Sequence, residues 1–164
     1  MTDKHTHYQH NAWSIVGTER HPTHIITEPT TLTVPLIDSG MVIFILEPSL
    51  AYDQIVLTLP TGIVQPTETP TQAAERSLAH GLGYSAEQVN FLGRFHPQEK
   101  YLHAPIWAYL VRQLKPLDLA DYGQGIETHL APLEHFERLI DNGHLRDPAV
   151  IVALYLARGV VMGE

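Results

Sequence analysis

The chain has no cysteine, which excludes disulfides and thiolate metal sites together. Charge is sparse too: Asp, Glu, Lys and Arg make up 17% of the 164 residues, with 18 acids against 10 bases. The resulting formal charge of −8 withholds the basic stripe that a nonspecific nucleic-acid binder needs to displace counterions. A small anionic ligand stays possible, because a pocket can be positive on an acidic protein. No uncharged apolar run nears the roughly 20 residues that a membrane-spanning helix requires. The polar N-terminus lacks an apolar signal core, so export is not expected. These absences predict a cytoplasmic protein with neither nucleic acid nor membrane as partner.

What is present fits one globular domain, with 44% hydrophobic residues over a length that can bury a sizeable core. Residues 1–12, MTDKHTHYQHNA, are polar and histidine-rich, and are expected to be a flexible end. Residues 13–164 are expected to form the single domain. Residues 13–33 alternate apolar and polar positions and predict two or three short strands, broken near His21-Pro22 and Glu28-Pro29. Residues 32–37 and 41–46 predict a hairpin across Asp38-Ser39-Gly40, and the run MVIFIL a central strand. Further strands are expected over residues 54–59, 89–95 and 106–114, and residues 117–128 read as irregular. A helix is expected from Pro132 to Asn142-Gly143, and a last one capped by Asp147-Pro148 and buried through Val150, Ile151, Leu154 and Leu156 before Gly159.

The informative stretch is GIVQPTETPTQAAERSLAHGLGY, residues 62–84. Thr69 is placed as N-cap, Pro70 as first helical residue, and Gln72 three residues after the cap, which is the capping-box pattern. Gly81 and Gly83 supply the stop. Gly62, Glu68, Arg76, Leu78, Gly83 and Tyr84 then fall at the spacing G-x5-E-x7-R-E-U-x-E-E-x-G-U, where U is a bulky apolar residue. This resembles the Nudix box. Ser77, His80 and Gly81 stand where that pattern has glutamates.

The resemblance implies an α+β fold, an α/β/α sandwich whose mixed sheet is flanked by helices, here with extra N-terminal strands. It also implies that positions 77, 80 and 81 form the patch where the family holds Mg²⁺ against a diphosphate. Mg²⁺ selects hard oxygen ligands in octahedral geometry, and a hydroxyl, an imidazole and a bare backbone are a poor set for it. No metal is therefore expected, with Mg²⁺ the cofactor if the protein is active. Glu68 and Arg76 are expected to tie the loop to the helix.

Beyond the box, residues 31–158 resemble the ADP-ribose pyrophosphatase and ADP-compounds hydrolase branch, through Val34-Pro35-Leu36-Ile37-Asp38, Leu59-Pro60-Thr61-Gly62 and the closing Val152-Ala153-Leu154-Tyr155-Leu156. That similarity implies substrate-side roles for Glu47, Thr58, Pro97 and Tyr101, and makes Glu127 the candidate base in a late loop. Leu46 replaces an arginine frequent in the branch, which removes a planar fork suited to phosphate. The branch also implies a homodimer in which residues 13–33 cross between subunits. Three functions follow: a slow hydrolase of a nucleoside diphosphate derivative such as ADP-ribose, a non-catalytic nucleotide binder or sensor, or a dimeric interaction module.

Overall fold

The computed structural model describes residues 5–10, 13–18, 21–49, 51–118 and 125–163. Its strands are β1 (His5–His10), β2 (Trp13–Thr18), β3 (His21–Thr27), β4 (Thr30–Pro35), β5 (Met41–Ser49) and β6 (Gln54–Thr58). They continue with β7 (Thr61–Ile63), β8 (Tyr84–Phe95), β9 (Leu102–His103), β10 (Ile106–Pro116) and β11 (Glu127–Pro132). The helices are α1 (Pro70–Leu82), α2 (Glu137–Asp141) and α3 (Pro148–Met162), with a 3-10 turn over Leu133–His135.

Apolar alternation decides the layering. In β5, successive side chains point to opposite faces, so Val42 and Phe44 enter one core while Ile43 and Ile45 enter another. The first core is closed by α3 through Val150, Ala153, Leu154 and Ala157. The second is closed by α1 through Leu78 and Leu82. The fold is thus α+β, with α1 and α3 on opposite faces of the sheets. One sheet runs β7-β4-β10-β8, mixed because β4 and β10 are parallel, and the other is the antiparallel β11-β5-β6. A third sheet, β1-β2-β3-β9, is built from the N-terminal strands.

Several expectations need correction. Of the N-terminal stretch expected to be flexible, residues 1–4 and 11–12 lie outside the described residues, but His5–His10 pair antiparallel with β2. The hairpin at Asp38-Ser39-Gly40 shrinks to one bridge, Leu36 with Val42, beyond a turn in which Ile37 N–H donates to the Met41 carbonyl at 3.0 Å. β4 and β5 then diverge because each is taken by other strands. Residues 119–124 of the segment read as irregular, Asp121 among them, lie outside the described residues. Its end is not irregular: Glu127–Pro132 is β11, whose first four residues are exposed and so carry no apolar period to announce it. The expected helix from Pro132 is a 3-10 turn followed by the short α2. α3 runs past Gly159 to Met162, and Leu156 lies outward, because the buried stripe is Ala149, Val150, Ala153, Leu154 and Ala157.

The N-cap and the Gly83 stop of α1 match the sequence reading, whereas Gly81, expected to share in the stop, lies inside the helix, which runs on to Leu82. Thr69 Oγ1 accepts from Gln72 N–H at 3.2 Å, and Gln72 Oε1 accepts from Thr69 N–H at 2.8 Å. Gly83 ends the helix at φ 72°, a left-handed conformation that costs a glycine nothing sterically. Thr69→Ala removes the reciprocal pair and should lower unfolding free energy by about 1 kcal/mol. Urea titration reads this through the midpoint at unchanged slope, and an unshifted midpoint would deny the cap its role.

Candidate functional site

The loop between β7 and α1 is folded back on the helix by a single carboxylate. Glu68 Oε1 accepts from Gln65 N–H at 2.7 Å and from Arg76 Nη2 at 2.6 Å, while Oε2 accepts from Arg76 Nε at 3.1 Å. The same Arg76 Nη2 donates to the Ile63 carbonyl at 2.8 Å. The planar guanidinium thereby joins strand end, loop and helix in one fork, a geometry that lysine cannot supply. Helix and strand approach closely here: a Cβ on Gly62 would lie 3.0 Å from Ser77 Cβ, so position 62 has no room for a side chain. The expectation that Glu68 and Arg76 tie loop to helix matches this geometry.

Beside this clasp lies a cleft of about 500 Å³, lined by Glu47, Thr61, Arg76, Ser77, His80 and Gly81 with Ile45, Pro60 and Ile126 among the rest. The three box positions do come together there, but they offer little. Ser77 is 4% exposed and its hydroxyl donates inward to the Ala74 carbonyl at 2.9 Å. Gly81 contributes backbone alone, and a Cβ there would meet Ile45 Cδ1 at 3.3 Å. Among the described residues lining this cleft, Glu47 is the one carboxylate. Among the described residues generally, no group of three or more His, Asp or Glu side chains is placed to hold a metal ion. The residues present do not fit Mg²⁺, whose octahedral shell calls for several hard oxygen ligands.

The other anticipated residues scatter. Thr58, opposite Ile45 in the β5–β6 ladder, lines a larger cleft of about 1020 Å³ that runs along β6 to the α2–α3 turn, and Glu47 borders both clefts. Glu127 is a strand residue rather than a loop residue. It lies opposite Leu46 across the β11–β5 ladder, and directly opposed residues share a face. Its place is therefore on the face of Leu46, not on the Ile45 face against which α1 packs. Pro97 and Tyr101 line neither cleft. Tyr101 sits at the β3–β9 junction, where its carbonyl accepts from Ile25 N–H at 3.0 Å and Lys100 Nζ lies 5.1 Å from its ring centroid. The larger cleft, with Tyr52, His129, Asn142, His144 and Arg146 on its walls, was not legible beforehand. Its residues come from three separate segments and follow no fixed spacing.

The Arg76 hydrogen bond, with help from Gln65 N–H, holds the Glu68 carboxyl below the usual carboxylate range, and the same contact raises Arg76. A carboxylate whose pKa is depressed by folding adds stability that is complete above its unfolded pKa of about 4.3 and is lost as pH falls through the lower folded value. Glu68→Gln removes that contribution. The stability gap between native protein and variant should be widest near neutral pH and narrow below about pH 4. Chemical denaturation at stepped pH measures it, and a gap independent of pH would contradict the clasp's ionic character.

With the geometry in view, the likenesses to known proteins are specific. The chain is 23% identical over 134 residues to the ADP compounds hydrolase NudE of Escherichia coli (strain K12), covering 81% of this chain and 72% of that protein. A crystal structure of an ADP compounds hydrolase superposes with a TM-score of 0.81 at 19% identity, covering 98% of this chain and 92% of that one. The model of the NUDIX domain family matches residues 28–136, from the start of β4 through the clasp and α1 to the end of β11, and the chain belongs to that family.

Proposed function

We propose that the protein binds a nucleoside diphosphate derivative of the ADP-ribose type in the cleft beside α1 and has weak or no Mg²⁺-dependent hydrolase activity. The relative named as an ADP compounds hydrolase supports the ligand class. The observation that carries the rest is the state of the box positions: Ser77 turned inward and buried, Gly81 without a side chain, and Glu68 engaged on both oxygens by Arg76 and Gln65. In this family, Mg²⁺ when present polarises the phosphoryl group and helps form the attacking hydroxide. This chain's own residues hold and orient instead. Arg76 and His80 put cationic or protonatable groups on the cleft wall, and Thr61 adds a hydroxyl. Glu127 is not assigned a base role, because its register turns it away from α1.

We read the molecule as a cytoplasmic homodimer joined through the N-terminal strands. Tyr8 and Trp13 support this reading: their rings lie 5.4 Å apart, and the residues are 50% and 39% exposed on that sheet.

The test is a thermal-shift and AMP-release assay with ADP-ribose, with and without Mg²⁺, on protein whose mass in solution is measured by sedimentation. Stabilisation without metal, little AMP release and a dimeric mass are expected. Rapid Mg²⁺-dependent AMP release would overturn the functional reading, and a monomeric mass the oligomeric one. The combined variant Ser77→Glu, His80→Glu, Gly81→Glu should gain metal-dependent AMP release by a factor of about 100 or more if the missing ligands alone limit the rate. Gly81 can take a side chain if the tip of Ile45 moves a few tenths of an ångström, and Ser77 already carries a Cβ.

A further inference from the structure

The larger cleft runs along β6, the edge strand of its sheet, from the face of Leu46 and Leu57 to the α2–α3 turn, and its shape and charge are not those of the box cleft. Its floor is aliphatic, formed by Leu46, Leu57 and Leu139. Among its lining residues stands Tyr52, an aromatic side chain 75% exposed. Gln54 and Asn142 also line it. The Asn142 carbonyl oxygen already accepts from His144 N–H at 3.2 Å, which leaves its NH2 donors for a ligand. An apolar floor with a few convergent polar groups is the general form of a small-molecule site.

Charge gives the cleft a direction. Arg146, His144 and His129 line its α2–α3 and β11 side, whereas Glu47 lies at the end that borders the box cleft. Arg146 Nε donates to the Gly143 carbonyl at 2.7 Å, which fixes the guanidinium over the turn. No carboxylate among the described residues pairs with it. Asp147 also lines the cleft, but it is spent on the α3 cap, where one oxygen accepts from Ala149 N–H at 2.8 Å and from Val150 N–H at 3.3 Å. An arginine without a carboxylate partner on a chain of charge −8 is a place where an anion is favoured. The anion would be held at the end remote from α1.

We propose that this cleft is a second ligand site, for a planar heterocycle carrying a terminal phosphate, the chemistry of a nucleoside monophosphate. The ring lies on the aliphatic floor under Tyr52, and the phosphate meets Arg146 with His144 and His129 beside it. This assignment stands independently of what the box cleft binds.

Calorimetric titration of AMP into the metal-free full chain, with adenosine and inorganic phosphate as separate arms, tests it alongside amide chemical-shift mapping. AMP should bind more tightly than either part, and its shifts should centre on residues 52–58 and 142–147. Tyr52→Ala and Arg146→Ala should each weaken AMP by about tenfold, the scale of one charge-assisted hydrogen bond or one stacked ring. Both variants should leave ADP-ribose binding beside α1 unchanged. Because Tyr52 is 75% exposed and lies outside the α2–α3 turn, its variant keeps the test valid if Arg146→Ala disturbs that turn. Shifts confined to residues 76–81, affinity unaltered in Tyr52→Ala, or no saturation by AMP at about 10 mM would each overturn the proposal.

Discussion

The paired contact between the Glu68 carboxylate and the Arg76 guanidinium fixes where α1 begins relative to the sheets. Three parts of the chain meet in it: the loop through the Gln65 amide, the strand through the Ile63 carbonyl, and the helix through the Arg76 side chain. Gly62 lets the helix descend onto β7, and Thr69 with Gln72 sets its first turn. Leu78 and Leu82 of α1 then pack with Ile43, Ile45 and Val111. None of these features needs a metal. The box spacing can therefore serve as architecture with no carboxylate at positions 77, 80 and 81.

Legibility tracked local physical chemistry. α1 could be read to the residue because its cap, its proline and its left-handed glycine are chemical signals with fixed offsets. β5 was legible because six apolar residues in a row require burial on both faces. β11 was not, because five of its six residues are exposed and its pairing with β5 is fixed by tertiary contact. The same gap misplaced Glu127: once β11 is a strand, register decides where its side chain belongs. Pro97 and Tyr101 were assigned through resemblance, and nothing in their local sequence could say which cleft they would approach. The larger cleft draws on β5–β6, β11 and the α2–α3 turn, a juxtaposition that exists only in three dimensions.

Residues without carboxylates at positions 77, 80 and 81 bear on more than catalysis. A helix face built for divalent cations would be strongly acidic and would repel a diphosphate unless metal were bound. Here the cleft wall presents His80 and an Arg76 already paired with Glu68, and Glu47 is the one carboxylate among the described residues that line it. The described residues of this cleft thus offer no carboxylate cluster that could bridge a divalent cation to a diphosphate, and the relation to metal should differ accordingly.

That relation can be measured without any substrate. Mn²⁺, a paramagnetic substitute for Mg²⁺, broadens the amide signals of residues close to wherever it binds. Titrated into the isotopically labelled protein, it should leave residues 76–82 as sharp as distant residues such as those of α3. Selective loss of the Ser77, His80 and Gly81 signals at low Mn²⁺ concentration would mean that a cation seat persists on α1, and would contradict the account.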